Sequence, residues 1–317
     1  MPLALIWRRD IGSEQNKGLR MKFAATDPTP SLARWTSRAG IFSGGLALSA
    51  LFMHRLLGMP TPTALNLFKL SFAGALLTIV LGVLASARIW RTGEEGAARV
   101  LVGFLLAGGL LSWPLSQLPL VLTLPNINDL TTDPADPPPF TVLGASRAPG
   151  ANGAVYPGET FAKAQAAAYS DIRALDFERS SAEAFGLATD ALRNKLFMTI
   201  RREQPPNPET GEAGYIEAED QTFVMGFVDD VAIRVKGDDK RARIDIRSAS
   251  RFGTHDLGRN AERMRRILRE LVLRLEETVP APKSETVTLK SRKERAEFKE
   301  QKVRRRKPAR RRLIYRY

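Results

Sequence analysis

The stretch LSFAGALLTIVLGVLASA, Leu70 to Ala87, runs for eighteen residues without a charge and is closed at its ends by Lys69 and Arg88. As a helix rising about 1.5 Å per residue it reaches roughly 27 Å, close to the ~30 Å hydrocarbon core of a bilayer. The sequence on either side repeats the pattern. Towards the N-terminus, Ala39 to Met53 is uncharged and leads into His54 and Arg55, so a span from Ala39 to Leu57 ends on a side chain long enough to reach the headgroups. Towards the C-terminus, Val100 to Asn128 is uncharged, and Val100 to Leu122 suffices to cross, with a kink expected near Pro114 and a second proline at Pro119. Residues 41–123 carry seven charges in 83 positions, too few for a soluble surface and over too great a length for one buried helix. Gly44, Gly45, Gly74, Gly82, Gly103, Gly108 and Gly109 fit this reading, because small residues let membrane helices approach closely, whereas in a soluble helix each would cost about 1 kcal/mol. We therefore read residues 39–123 as a three-helix transmembrane region.

Orientation follows from the basic residues close to the spans. Seven precede the first span, including Arg34 and Arg38; Arg88, Arg91 and Arg99 lie between the second and third; after the third none occurs before Arg147. This predicts a cytoplasmic, largely disordered N-terminus over 1–38 and a cytoplasmic 88–99 loop. Residues 58–69 and everything after about 125 then lie outside, which for a bacterial inner-membrane protein means the periplasm. The start of the chain lacks an apolar core before Arg8 and Arg9, so the first span is expected to act as an uncleaved signal anchor.

Composition narrows the chemistry. Among 317 residues there is no cysteine and there are two histidines, His54 and His255, which excludes thiol nucleophiles and Cys-based or multi-histidine metal centres. The net charge of +14 is mostly terminal: residues 283–317 hold fifteen basic residues against four acidic ones. Such a segment, taken as 281–317, is expected to be a disordered basic tail suited to anionic lipid headgroups. Arg304 to Arg306, Arg310 to Arg312, Tyr315 and Tyr317 would also suit RNA, but a periplasmic location disfavours nucleic acid as a partner.

Between spans and tail the pattern changes. LPNINDLTTDPADPPPF, residues 124–140, opens a proline-rich connector over 124–170, where Pro134, Pro137, Pro138 and Pro139 exclude helix and central strand. A short helix is predicted over Phe161 to Tyr169. Residues 171–280 then read as a periplasmic α+β domain: a strand at Ile172–Glu178, a helix at Ser181–Lys195 capped by Ser180 or Ser181, and strands at Phe197–Glu203, Tyr215–Phe223, Val231–Lys236 and Ala242–Arg247. Asp256 caps a last helix carrying Leu257, Ala261, Met264, Leu268, Leu271 and Leu275 at helical spacing. This order predicts an antiparallel sheet with the helices packed on one face and a polar second face.

The segments LPNINDLTTDPADPPPF, GANGAVYPG, FVDDVAIRV and RIDIRSASRFGTHDLGRNAERMRRIL resemble the domain-of-unknown-function family fourteen-ninety-nine over about residues 124–276. The resemblance implies a fold and a membrane-associated location, and it brings no activity and no catalytic residues with it.

The densest polar set is Asp229, Asp230, Arg251, Asp256, Asn260 and Arg263. As a binding site it would take an anion or carboxylate, with Arg251 and Arg263 as forked donors; as a structural device it would cap and fix the last helix, with Asp229-Asp230 as a turn. Glu217, Glu219, Arg234, Arg243, Asp245 and Arg247 suggest a cross-strand ladder of opposite charges. A serine triad through Ser248 or Ser250 and His255 would need a buried acid that the sequence does not place. The turn Phe223-Val224-Met225-Gly226-Phe227 suits, about equally, burial in the core or exposure in contact with the bilayer or lining a hydrophobic pocket. No catalytic residue, cofactor or metal is assigned. The reading is an integral inner-membrane protein whose periplasmic domain binds an envelope component or partner protein, with the bilayer as its constant partner. The alternatives are a membrane-tethered hydrolase using carboxylates, and nucleic-acid or anionic-lipid binding through the tail.

Overall fold

The computed structural model describes residues 31–278; the readings made for the N-terminal thirty residues and for the basic tail lie outside the described residues. Three long helices come first: α1 (Ser31–Leu57), α2 (Thr61–Thr92) and α3 (Ala97–Thr123). All three are long and apolar enough to cross a membrane. Each extends past its uncharged stretch. Helix α1 starts at Ser31, inside the segment expected to be disordered, because Leu32, Ala33 and Thr36 continue its packed face, with Ala33 meeting Ala85 of α2 and Val100 of α3. Helix α3 runs through both Pro114 and Pro119.

Small residues set how closely the helices approach. A Cβ added to Gly103 would lie 2.6 Å from Thr36 Cγ2, one on Gly82 would lie 2.5 Å from the Phe104 ring, and one on Gly74 would collide with Ser43. Gly44, Gly45, Gly108 and Gly109 meet nothing within 4 Å, so four of the seven glycines expected at helix crossings are not there. Gly40, which the sequence reading passed over, faces Gly103. The outward faces are apolar, with Leu48, Leu76, Leu77, Leu105 and Leu122 exposed.

The α+β region is one antiparallel sheet of six strands: β1 (Asp129–Thr131), β2 (Leu175–Phe177), β3 (Thr199–Gln204), β4 (Gly214–Gln221), β5 (Val228–Gly237) and β6 (Ala242–Ser250). The order is β1-β6-β5-β4-β3, and β2 also pairs with β6, so β1 and β2 share its outer edge, opposite residues 247–249 and 242–244 respectively. The connector, where the prolines were expected to exclude helix and central strand, supplies a strand at the sheet edge, where proline-flanked chain is tolerated, and a single turn of helix, α4 (Val142–Ala145). Helix α5 (Glu159–Ala168) follows. Helix α6 (Ser181–Asp190), capped by Ser180 Oγ accepting from the Glu183 N–H, gives way to a π turn over Ala191–Lys195. Helix α7 (Arg259–Thr278) ends the described chain.

The two sheet faces are covered differently. One carries Ile216, Ala218, Val231, Ile233, Ile244 and Ile246 and is covered by Ala184, Phe185, Ala188 and Leu192 from α6 with Ala261, Met264 and Ile267 from α7, as the alternating pattern required. The other, expected to be polar, lies beneath the connector: Phe140 and Leu143 cover Ala232 and Ala249, and Glu217, Arg234, Asp245 and Arg247 are all buried.

Candidate functional site

Asp229 and Asp230 lie within β5, not in a turn, and because successive strand residues point to opposite faces they enter two separate networks. On the helix face Arg263 is the hub. Its Nη2 donates to Asp229 at 2.5 Å, its Nε to Asp220 at 2.6 Å, and its Nη1 to Asn260 Oδ1 at 2.6 Å and Ser248 Oγ at 3.0 Å. Burial works against the charged guanidinium, yet Asp229 and Asp220 more than offset it and hold its pKa above the ordinary value. Asn260 donates in turn to the Asn128 carbonyl and to Ser250 Oγ, tying the chain just before β1, the end of β6 and α7 together. Helix α7 begins only at Arg259, so Asp256 precedes it as a cap, accepting from the N–H groups of Gly258 and Asn260 at 2.8 and 2.9 Å. Burial raises the Asp256 pKa despite those bonds.

On the connector face Asp230 accepts from Arg251 at 2.7 Å and from Arg147 at 2.9 Å. Its pKa is raised, burial outweighing both guanidinium groups. Of the six residues singled out from sequence, Asp229, Asp256, Asn260 and Arg263 therefore come together, while Asp230 and Arg251 lie across the sheet. Asp220 and Arg147 escaped notice: Arg147 lies 83 residues from Asp230 in a loop, and no local spacing reveals such a partner.

The charged ladder is real in register, with Arg234 opposite Asp245 and bonded to it at 2.9 Å, but most of its partners come from the connector. Arg234 also donates to Asp136 and Asp133, and Arg247 grips Asp129 through two bonds of 3.0 and 2.7 Å while its guanidinium lies over the Phe140 ring. Glu217 accepts from the Thr141 hydroxyl and from the backbone N–H groups of Thr141, Val142 and Leu143. Burial alone would raise this carboxyl; the Thr141 hydroxyl and those N–H groups outweigh it and hold the pKa below the ordinary value. Burial and the nearby Asp129 push the Tyr156 phenol up to about 12. Ser248 and Ser250 bond to Asn260 rather than to His255, whose Nδ1 accepts from the Leu257 N–H.

The apolar turn between β4 and β5 divides its side chains. Met225 and Phe227 pack against the α1–α2 hairpin around Ala47, Ala50, Ala64 and Phe68, whereas Phe223 and Val224 are exposed. The His54 and Phe227 rings lie 5.2 Å apart, and Arg55 Nη1 donates to Gln221 Oε1 at 3.1 Å. Beside this contact opens a cavity of about 750 Å³ bounded by the end of α1, the π turn, the β4–β5 turn and α7.

These features define a class: three helices of membrane-crossing length and apolarity joined to an antiparallel α+β domain whose charged face is buried under its own connector. Residues 129–271, which hold the sheet domain, match the family described as "Protein of unknown function (DUF1499)". No curated protein and no solved structure matches the chain.

Proposed function

We propose that this chain is an integral protein of the bacterial inner membrane, with its N-terminus in the cytoplasm and its α+β domain held against the outer surface of the bilayer as a binding module for an envelope component or partner protein. The observation that carries the reading is the docking of the β4–β5 turn on the α1–α2 hairpin, through Met225, Phe227 and the Arg55–Gln221 bond. An odd number of spans puts the α1–α2 loop and everything after α3 on the same side, which this contact requires. Binding is favoured over hydrolysis because the buried carboxylates Asp129, Glu217, Asp229, Asp230, Asp245 and Asp256 are each held by arginine or backbone N–H groups, leaving none poised as an acid or base. Alkaline phosphatase fusions test the topology: activity is expected after residues 130 and 282 and not after 95, and silence at 130 and 282 would overturn the periplasmic assignment.

A further inference from the structure

We propose that the cavity at the end of α1 receives the phosphate headgroup of an anionic membrane lipid, whose acyl chains stay in the bilayer along α1. This rests on the reading of α1 to α3 as membrane spans. Three observations carry it.

The first is charge. Arg55, Arg201, Arg259, Arg263 and Arg266 line the cavity against three carboxylates, those of Glu219, Asp220 and Glu262. Arg263 and Arg266 share Asp220, and Arg201 holds Glu219. Among the described residues Arg55 bonds a neutral amide oxygen, and Arg259 has no carboxylate partner. Two forked donors suited to phosphate are thus left over.

The second is the rim. Phe197 and Phe223 border the cavity and are 83% and 91% exposed, with Val224 beside them. Phe197 leaves the π turn with φ 53°, a left-handed conformation that bulky residues rarely adopt, and it points its ring outward, away from the core beneath it. An exposed aromatic pair around a cationic cavity matches a ligand that is charged at one end and apolar at the other.

The third is depth. Arg55 stands two residues from the end of α1, where a long basic side chain reaches the headgroup layer, and Leu56 and Leu57 next to it are exposed. The apolar rim is therefore continuous with the surface that faces the acyl chains. A cavity of about 750 Å³ also falls within the roughly 300–1,000 Å³ usual for small-molecule sites.

The test uses the full chain in lipid nanodiscs with a phosphatidylglycerol carrying a photoreactive group on its headgroup, and peptide mapping of the adducts. Adducts are expected within residues 196–201 and 219–228. The double variant Arg55→Gln/Arg259→Gln should cut their yield by about fivefold or more, as loss of two charge-assisted contacts implies, without lowering the melting temperature or the adducts on residues 283–317. Lys240→Gln, an exposed charge in the β5–β6 turn, should change nothing. Should the double variant assemble poorly, Arg259→Gln alone serves, since that side chain is exposed and holds no carboxylate. Undiminished pocket adducts in the variant, equal labelling by a phosphatidylcholine probe, or loss of the adducts with millimolar inorganic phosphate would each overturn the proposal, the last by making free phosphate the occupant. A silent fusion at residue 130 with the adducts intact would instead sink the periplasmic reading and leave the headgroup site standing.

Discussion

The helical region and the sheet domain solve the same problem, burying polar groups, in opposite ways. In the helices three buried hydroxyls are satisfied within a single turn: Thr36, Ser71 and Thr78 each donate at 2.8 Å to the carbonyl four residues earlier. In the sheet domain the buried charges are satisfied across long stretches of chain, Arg247 by Asp129 118 residues away and Glu217 by Thr141 76 residues away. A segment that must be stable in lipid before its neighbours arrive needs internal hydrogen bonding, whereas a domain folding in water can leave charges solvated until the connector closes over them. Tight packing in the first region therefore rests on glycine and alanine, and in the second on matched guanidinium and carboxylate geometry.

The sharpest way to break this contrast is Arg247→Ala. It strands a buried Asp129 carboxylate and should cost about 3–5 kcal/mol, releasing the connector to proteolysis within residues 129–157. A melting temperature within error of the parent would show that the connector closes without its charged pin. Next in size, Glu217→Gln should cost about 2 kcal/mol at neutral pH by weakening several charge-assisted bonds. Because the folded carboxyl titrates below its ordinary value of 4.5, its contribution is complete above that pH and is lost as pH falls through the lower, folded value. The melting curves of parent and variant should accordingly converge in acid, and a gap that widens below pH 4.5 would refute the assignment.

In the helical region, Gly103→Ala forces a methyl group against Thr36 and should destabilise the helix bundle by about 1–3 kcal/mol, whereas Gly108→Ala should be neutral or slightly stabilising. Equal effects of the two changes in detergent melts would mean that close approach at Gly103 contributes nothing. The smallest effect is expected from Asp256→Ala, which removes two cap bonds from α7 and should cost about 1 kcal/mol, read as earlier fraying by hydrogen exchange at Gly258 and Asn260.

Legibility follows the same division. The three long helices were readable because uncharged length is a local property, although their ends were set too narrowly: Ala33 and Ala64 are buried only because neighbouring helices lie there. The apolar sheet face and the helices that cover it were readable from alternation and helical spacing. The second face was readable as polar but its burial was not, since Arg234, Asp245 and Arg247 look solvent-facing in any local window. Strand β1 was hidden among prolines, and its pairing with β6 is a contact between residues more than a hundred positions apart. The candidate polar set falls into two networks rather than one, because strand alternation, which sends Asp229 and Asp230 to different faces, takes effect only once both are known to lie within β5.

By itself, then, the sequence determined the solvent of each region. Eighteen uncharged residues closed by Lys69 and Arg88, the period-two strands and the amphipathic last helix follow from hydrophobic patterning, which acts residue by residue. Only the tertiary structure decided that the connector closes over the charged face, that Arg263 and Arg251 serve different networks, and that the β4–β5 turn seats on the α1–α2 hairpin beside an arginine-lined cavity. These depend on which distant charges come within hydrogen-bond reach, and ion-pair and hydrogen-bond partners are chosen by three-dimensional geometry rather than by spacing along the chain.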